Sequence, residues 1–259
     1  MTIHVDPDWW KTLFDEVYLI TDARSVDNDS VTRQEISIFT TLIPIEPHDR
    51  ILDLCGGHGR HSIELYNRGY RDCTVLDYSD ALLRIGAKNA AGKGYEIRFV
   101  QGDARHTDFA SEAFDHVLIL GNSLGYISDP DADLLILKES GRLLKPQGWL
   151  LLDVTDGGSV PTKISPQAWH QIGDDMVVCR QREAKNGMIS AREMVLSKSR
   201  GLIRDKNYRI RLYNQNDLND LALNAGFGNI QIHTGASAMK VTEDVGCMNH
   251  RLVVSAQKP

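Results

Sequence analysis

The sequence predicts an α/β fold: a doubly wound, mostly parallel sheet with helices on both faces, followed by a small antiparallel layer and a return to the first sheet. Three observations predict it. Between residues 50 and 153, short apolar runs alternate with segments of helix length. From residue 169 to 213, strand-like segments follow one another without helices between them. After residue 214, one helix and two further apolar runs close the chain.

In chain order, Trp10, Phe14 and Tyr18 recur every four positions, which predicts one face of an N-terminal helix. A polar stretch, Thr21–Asp29, precedes a second predicted helix, Val31–Leu42, which stops ahead of Pro44 because proline disfavours a helical residue before it. Arg50–Leu54, Cys73–Asp77, Ile97–Val100, Asp115–Leu120 and Trp149–Asp153 are the predicted parallel strands. Gly59–Asn67, Ala81–Ala91 and Asp133–Leu144 are helices between them, the last ended by Pro146. The antiparallel layer is predicted from Trp169–Ile172, Met176–Ala184, Met188–Ser197 and Tyr208–Tyr213, with Asn186-Gly187 as a hairpin turn because both residues tolerate positive φ. A helix over Asn216–Ala225 stops at Gly226, and Asn229–His233 and Arg251–Ala256 are closing strands. The expected organisation is therefore an N-terminal helical lid (1–44), a binding core (45–158), an antiparallel insertion or cap (159–213) and a C-terminal return to the core sheet (214–259).

The 259 residues suffice for a full hydrophobic core, with 42% hydrophobic and 25% charged residues. A net charge of -6, with no run of basic residues, argues against nucleic acid and against an anionic membrane as partner. MTIHVDPDWW lacks the layout of a signal peptide, and no apolar run approaches the roughly 20 residues that span a bilayer. Cys55, Cys73, Cys179 and Cys247 form neither a C-x-x-C pair nor a zinc-spaced cluster. The expectation is a cytoplasmic protein with reduced thiols and no metal.

Three short motifs carry chemistry. In Ile51-Leu52-Asp53-Leu54-Cys55-Gly56-Gly57-His58-Gly59-Arg60, a strand runs into a glycine-rich turn and then a helix. Glycines let a ligand approach the backbone closely, and Asp53 could accept hydrogen bonds from an ammonium group or its bound water. In Val75-Leu76-Asp77-Tyr78-Ser79, Asp77 ends the next strand at the spacing where an acid holds ribose hydroxyls in nucleotide-binding βαβ units. In Gly102-Asp103-Ala104, Asp103 could accept from an adenine amino group while the Ala104 N–H reaches a ring nitrogen. Each acid alone could be a helix cap or a solvated loop residue. Together they describe a cradle for an adenosine with a cationic tail.

This ordered set resembles the class I S-adenosylmethionine-dependent methyltransferases over about residues 45 to 155. The resemblance implies a Rossmann-like, doubly wound, mostly parallel seven-stranded sheet whose reversed last strand is antiparallel. It implies S-adenosyl-L-methionine as cofactor, with Asp53 facing the methionine part, Asp77 and the adjoining Tyr78 at the ribose, and Asp103 and Ala104 at adenine. The main chain near Leu120 and Gly121, at the end of the fourth strand, would accept from the methionine ammonium. Leu143-Leu144-Lys145-Pro146-Gln147-Gly148-Trp149 is similar to the family's corner before the fifth strand. The chain departs from the family at Cys55, which stands at the first glycine position, while Gly57 and Gly59 occupy the others. The aromatic stripe resembles the lid helix of small-molecule methyltransferases. On that reading Tyr18 and Arg24 close over the cofactor carboxylate and Trp10 faces the acceptor; the alternative is that the stripe packs onto the sheet.

Methyl transfer from a sulfonium is an in-line displacement, which requires an aligned, dry site. A neutral amine needs little more, whereas a hydroxyl or carbon acid needs a base, and His170, His61, His106 and Tyr126 are unremarkable candidates for one. Asn122-Ser123-Leu124-Gly125-Tyr126 lacks the Asn-Pro-Pro-aromatic pattern of enzymes that methylate nucleobase and glutamine amino groups, which favours a free metabolite. Trp169, Tyr208 and Tyr213, with Tyr126, are candidates to line an acceptor pocket under the antiparallel layer; the first three could equally be that layer's core. The combination resembles N-methyltransferases of amino sugars, amines and natural-product intermediates, with O- or C-methylation of a small metabolite as the alternative. Two rivals remain: an NAD-dependent oxidoreductase, whose fingerprint Gly57-x-Gly59-x-x-Ser62 partly imitates, and a non-catalytic cofactor-binding subunit. Homo-oligomerisation is left open.

Overall fold

The computed structural model describes residues 3–160, 164–235 and 250–259, with only the backbone of Arg24 and Ser25. Cys247 lies outside the described residues. The N-terminal segment is three short helices, α1 (Trp10–Leu13), α2 (Glu16–Thr21) and α3 (Ala23–Val26), before the longer α4 (Asp29–Phe39). The expected single helix through Trp10, Phe14 and Tyr18 is broken because the Asp15 carboxylate caps a new helix, accepting from the Val17 and Tyr18 N–H groups at 2.9 and 3.1 Å. A polar stretch expected between helices holds α3, and Asn28 caps α4 in the same manner as Asp15 caps α2.

The core follows the expected alternation: β1 (Arg50–Leu54), α5 (Arg60–Asn67), β2 (Asp72–Asp77), α6 (Asp80–Gly92), β3 (Arg98–Gln101), β4 (Phe114–Ile119), α7 (Ala132–Leu143) and β5 (Leu144–Thr155). β5 starts five residues earlier than expected, so Pro146 lies in its first part, where the register against β4 shifts. A second sheet is built from β6 (Gln167–Ile172), β7 (Met176–Lys185), β8 (Met188–Ser197) and β9 (Gly201–Arg211), all antiparallel in sequential order. Asn186 and Gly187, with φ of 51° and 70°, make the β7–β8 turn. α8 (Gln215–Asn224), β10 (Gly228–Thr234) and β11 (Arg251–Gln257) complete the chain.

The main sheet has the order β10-β11-β5-β4-β1-β2-β3, and β11 alone is antiparallel to its neighbours. Strand side chains alternate between two cores. Leu52 and Leu54 point to the face covered by α7 and α8, and Ile51 to the face covered by α4 and α5. The winding reverses between β1 and β4, which opens a crevice beyond the carboxyl ends of these strands.

The second sheet is fixed to the core through a buried carboxylate. Asp133 accepts from the Gly125 N–H at 3.0 Å and from Arg211 and the Tyr213 hydroxyl. It is also fixed to the N-terminal helices: Arg204 pairs with Asp15, Arg180 pairs with Asp22 at 3.0 Å, and Asn207 donates to the His4 carbonyl at 2.7 Å. The N-terminal segment is thereby held between the mouth of the crevice and the second sheet.

Candidate active site

The loop after β1 owes its path to three left-handed residues, Cys55, Gly57 and Gly59, with φ of 62°, 58° and 71°. Gly56, between them, lies so close to Asp53 that a Cβ there would stand 2.6 Å from the carboxyl carbon. Asp53 is consequently walled off behind the loop. One of its oxygens accepts from the Ser62 hydroxyl at 3.0 Å, and Oδ1, fully buried, has no hydrogen-bond partner among the described residues. Burial raises the Asp53 carboxyl above the usual range.

In front of the loop is a cavity of about 130 Å³. Asp77 reaches it from the tip of β2, with its carboxylate accepting from the Gly57 N–H and the Ser79 N–H, both at 2.8 Å. Burial pushes Asp77 up to about 6, against the pull of those backbone donors and with help from the Asp53 charge. Asp103 reaches the same cavity from beyond β3, clasped by the Arg105 guanidinium at 2.6 and 3.0 Å, which holds its carboxyl below the ordinary range. Arg105 in turn lies 5.6 Å from the Trp10 ring centre, and Trp10 meets Tyr78 edge-on at 4.8 Å. Tyr18, Cys55, Gly57, Ala104, Leu120, Gly121 and Tyr126 complete the expected residues on this wall. Burial raises both the Tyr18 hydroxyl and the Cys55 thiol well above their usual values, so both stay protonated at neutral pH.

A second cavity, about 90 Å³, lies between the N-terminal helices and the inner face of the second sheet. It shares Phe14, Tyr18, Val26, Gly121 and Tyr126 with the first, so the two are chambers of one cleft. Its walls are Trp9, Tyr126, Tyr208 and aliphatic side chains, together with Arg180, Arg182, Glu193 and Asp22. The ions are organised: Glu193 is buried between Arg180 at 2.7 Å and Arg204 at 3.3 Å. Trp9 rests on Tyr126 and Tyr208 at 5.5 and 5.8 Å between ring centres, and Phe14 stacks on Tyr126 at 5.4 Å.

Several sequence expectations are corrected by this arrangement. Trp10 lines the first chamber, near Asp103, and Trp9, the residue before it, lines the second. Asp53 and Gly59 lie one layer behind the cavity wall. Trp169 is 72% exposed on the outer face of the second sheet, because the period-2 alternation of β6 turns it away from the chamber. Tyr213 is buried but lines neither chamber, its hydroxyl being committed to Asp133. The side chain of Arg24 lies outside the described residues. Of the candidate bases, His170 and His106 line neither chamber, and His61 is held by Glu35 at 3.1 Å. The residues that the sequence reading missed are Arg60, Arg105, Arg180, Arg182 and Glu193. Arg60 and Arg105 directly follow the first and third motifs, a signal that was available, whereas the other three carried none.

Residues 51–148 match the family described as methyltransferase domain. YqeM of Bacillus subtilis, a methyltransferase by name, is 27% identical over 213 residues, covering 81% of this chain and 84% of its own. The CcbJ methyltransferase of Streptomyces caelestis superposes with a TM-score of 0.76 at 17% identity, over 98% of this chain and 99% of its own. The sugar N-methyltransferase KedS8 of a Streptoalloteichus species does so with a TM-score of 0.69 at 17% identity, over 100% and 97%. At such identities the two solved structures speak for the fold. Among the described residues, no helix is long and apolar enough to cross a membrane.

Proposed function

We propose that this chain, whose residues 51–148 match a methyltransferase domain, uses S-adenosylmethionine to methylate an amine nitrogen of a small molecule held in the second chamber. The observation that carries the reading is the junction of the two chambers at Phe14, Tyr18, Gly121 and Tyr126, where a bound acceptor would meet the cofactor in a space roofed by protein.

The residues of the first chamber fit the cofactor. Asp77 ends a strand beside the glycine loop, with both carboxylate oxygens oriented by backbone donors and lone pairs left for a ribose diol. Asp103 and Ala104 lie along the strand order toward the β3 edge, on the same wall as Trp10 and Tyr78, suited to adenine. Gly121, on a left-handed turn with φ of 71°, brings the backbone after β4 to the opposite end of the chamber. When bound, S-adenosylmethionine supplies an electrophilic methyl on a sulfonium sulfur.

The chain's own contribution is orientation and exclusion of water. Trp9, Phe14, Tyr126 and Tyr208 form an aromatic wall against which an acceptor can lie with its nucleophile toward Gly121. Among the described residues of the second chamber there is no histidine, lysine or cysteine, and its two acids face arginines. A hydroxyl acceptor would find only the tyrosines Tyr18, Tyr126 and Tyr208 to take its proton, and burial keeps Tyr18 protonated, whereas a neutral amine carries its own lone pair. The sugar N-methyltransferase named above acts on that kind of nucleophile.

The test is to incubate the protein with cofactor carrying a labelled methyl group and a metabolite pool, and to identify the labelled product by mass spectrometry. The expected product is an N-methylated small molecule formed with one equivalent of S-adenosylhomocysteine. A label on oxygen or carbon would overturn the amine reading.

A further inference from the structure

Arg60 is the first residue of α5, and its side chain is 10% exposed, so nine-tenths of it is buried. Its Nη1 is fully used, donating to the Thr32 hydroxyl at 2.9 Å and to Glu35 Oε2. Glu35 spends the same oxygen on His61 Nε2. Burial acts to raise the Glu35 carboxyl, but Arg60 and His61 outweigh it and hold the group at about 2. Nη2 is different. It is buried and meets no acceptor among the described residues.

A guanidinium nitrogen is a strong donor, and leaving one unmade in a buried setting is costly unless a ligand completes it. The position of Nη2 points to that ligand. Arg60 lines the first chamber and not the second, and Nη2 approaches Gly121 so closely that a Cβ there would lie 3.7 Å from it. Gly121 follows β4, while Asp103 follows β3, and the sheet order β4-β1-β2-β3 separates those tips by three strand spacings, about 14 Å. The donor therefore stands at the end of the chamber farthest from the proposed adenine site. α5 starts its first turn at the glycine loop without a side-chain cap from Gly59, so the positive end of its dipole faces the same region. His58, next to this turn, is held neutral by burial, which together with the Arg60 and His61 charges lowers it to about 4, so it neither competes for an anion nor adds charge.

We infer that Arg60 binds the α-carboxylate of the amino-acid end of the cofactor through Nη2, with Glu35 and Thr32 as positioning residues that fix the guanidinium plane. This donor belongs to the core, directly after the glycine loop. This rests on the assignment of S-adenosylmethionine to the first chamber and is independent of what the acceptor is. Tyr18, which shares the same wall, then closes over this end of the chamber.

The test compares two ligands by calorimetry: S-adenosylhomocysteine, which has the amino-acid end, and 5′-methylthioadenosine, which shares the nucleoside and thioether but has no carboxylate. Wild-type protein binding neither ligand would discredit the cofactor assignment itself, before Arg60 is considered. In the double variant Arg60→Met/Glu35→Gln, which leaves no buried carboxylate stranded, the expected result is a roughly 10- to 100-fold loss of affinity for S-adenosylhomocysteine. Affinity for 5′-methylthioadenosine should stay within about twofold. Arg60→Lys should recover part of the loss for the first ligand only. An equal loss for both ligands would make Arg60 a purely structural residue, and no loss for either would remove it from the site; each result overturns the inference. A thermal melt of each variant verifies that the fold is intact, and Glu35→Gln alone, which keeps the Nη2 donor but loosens the hold on the guanidinium plane, should lose less affinity for S-adenosylhomocysteine than the double variant and leave 5′-methylthioadenosine within about twofold.

Discussion

The floor of the cleft and its roof are built in opposite ways. The floor, from β1 to β5, is assembled mostly from neighbours in sequence: its acids sit at strand tips or in the turn directly after, and their partners are close by in the chain, such as the Gly57 and Ser79 N–H groups on Asp77 and the Arg105 guanidinium on Asp103. The roof is assembled from partners remote in sequence. Arg204 reaches Asp15 across 189 residues, and Arg180 reaches Asp22 across 158. The difference teaches that one fold can build its first chamber from local turn geometry while it holds the second together with buried ion pairs between distant parts of the chain.

The largest expected effect is on the roof. Glu193→Ala would leave Arg180 and Arg204 buried with half of their compensation removed, and breaking such a pair costs about 3–5 kcal/mol. Chemical denaturation should show that loss. If the two regions are as separable as the geometry implies, S-adenosylhomocysteine affinity in the folded variant should change far less than turnover; an equal loss in both would erase the contrast.

On the floor, Asp77→Ala should weaken S-adenosylhomocysteine binding by about 10- to 100-fold, the value of hydrogen bonds to a charged acceptor, with little change in stability beyond that of the loop. Unchanged affinity in calorimetry would take the ribose away from Asp77. A related effect appears with pH. Asp77 sits near 6 in the folded protein, so its carboxylate is charged above that value and takes up a proton as pH falls through it. Cofactor affinity should be flat above about pH 7 and roughly tenfold weaker at pH 5. Asp77→Asn should lack this dependence.

The smallest effect sharpens the view of the loop. Cys55 holds a φ of 62°, a conformation that costs a side-chain-bearing residue and costs glycine little. Cys55→Gly should stabilise the folded protein or leave it level, within about 1 kcal/mol, and leave cofactor affinity unchanged. The balance is between relief of strain and the loss of the buried thiol's packing together with a more flexible unfolded chain. A destabilisation of several kcal/mol would mean that the thiol's packing matters more than the backbone strain.

Much of this was legible in the chain itself. The alternation from Arg50 to Asp153, the glycine loop, the hairpin at Asn186-Gly187 and the acids at positions 77 and 103 are local patterns, and local patterns fix strands, turns and the ends of strands wherever the remainder folds compactly. A period of four read through Trp10, Phe14 and Tyr18 does not show that Asp15 caps a new helix, nor that Trp9 lines the second chamber while Trp10 lines the first. Trp169 was misassigned because an amphipathic strand announces two faces without saying which one is covered. Tyr213 could not be told from a pocket residue because its partner, Asp133, lies 80 positions away.

What the sequence by itself determined, then, is the α/β architecture and the row of polar groups at its strand tips, since backbone hydrogen bonding and side-chain periodicity act over a few residues. Only the tertiary structure decided that Asp53 lies behind the loop, that two chambers join at Gly121, and that Arg60, on the wall of the first, has a buried donor with no acceptor among the described residues. Those facts depend on which side chains meet across the fold, and a buried charge takes its role from the partners it finds there.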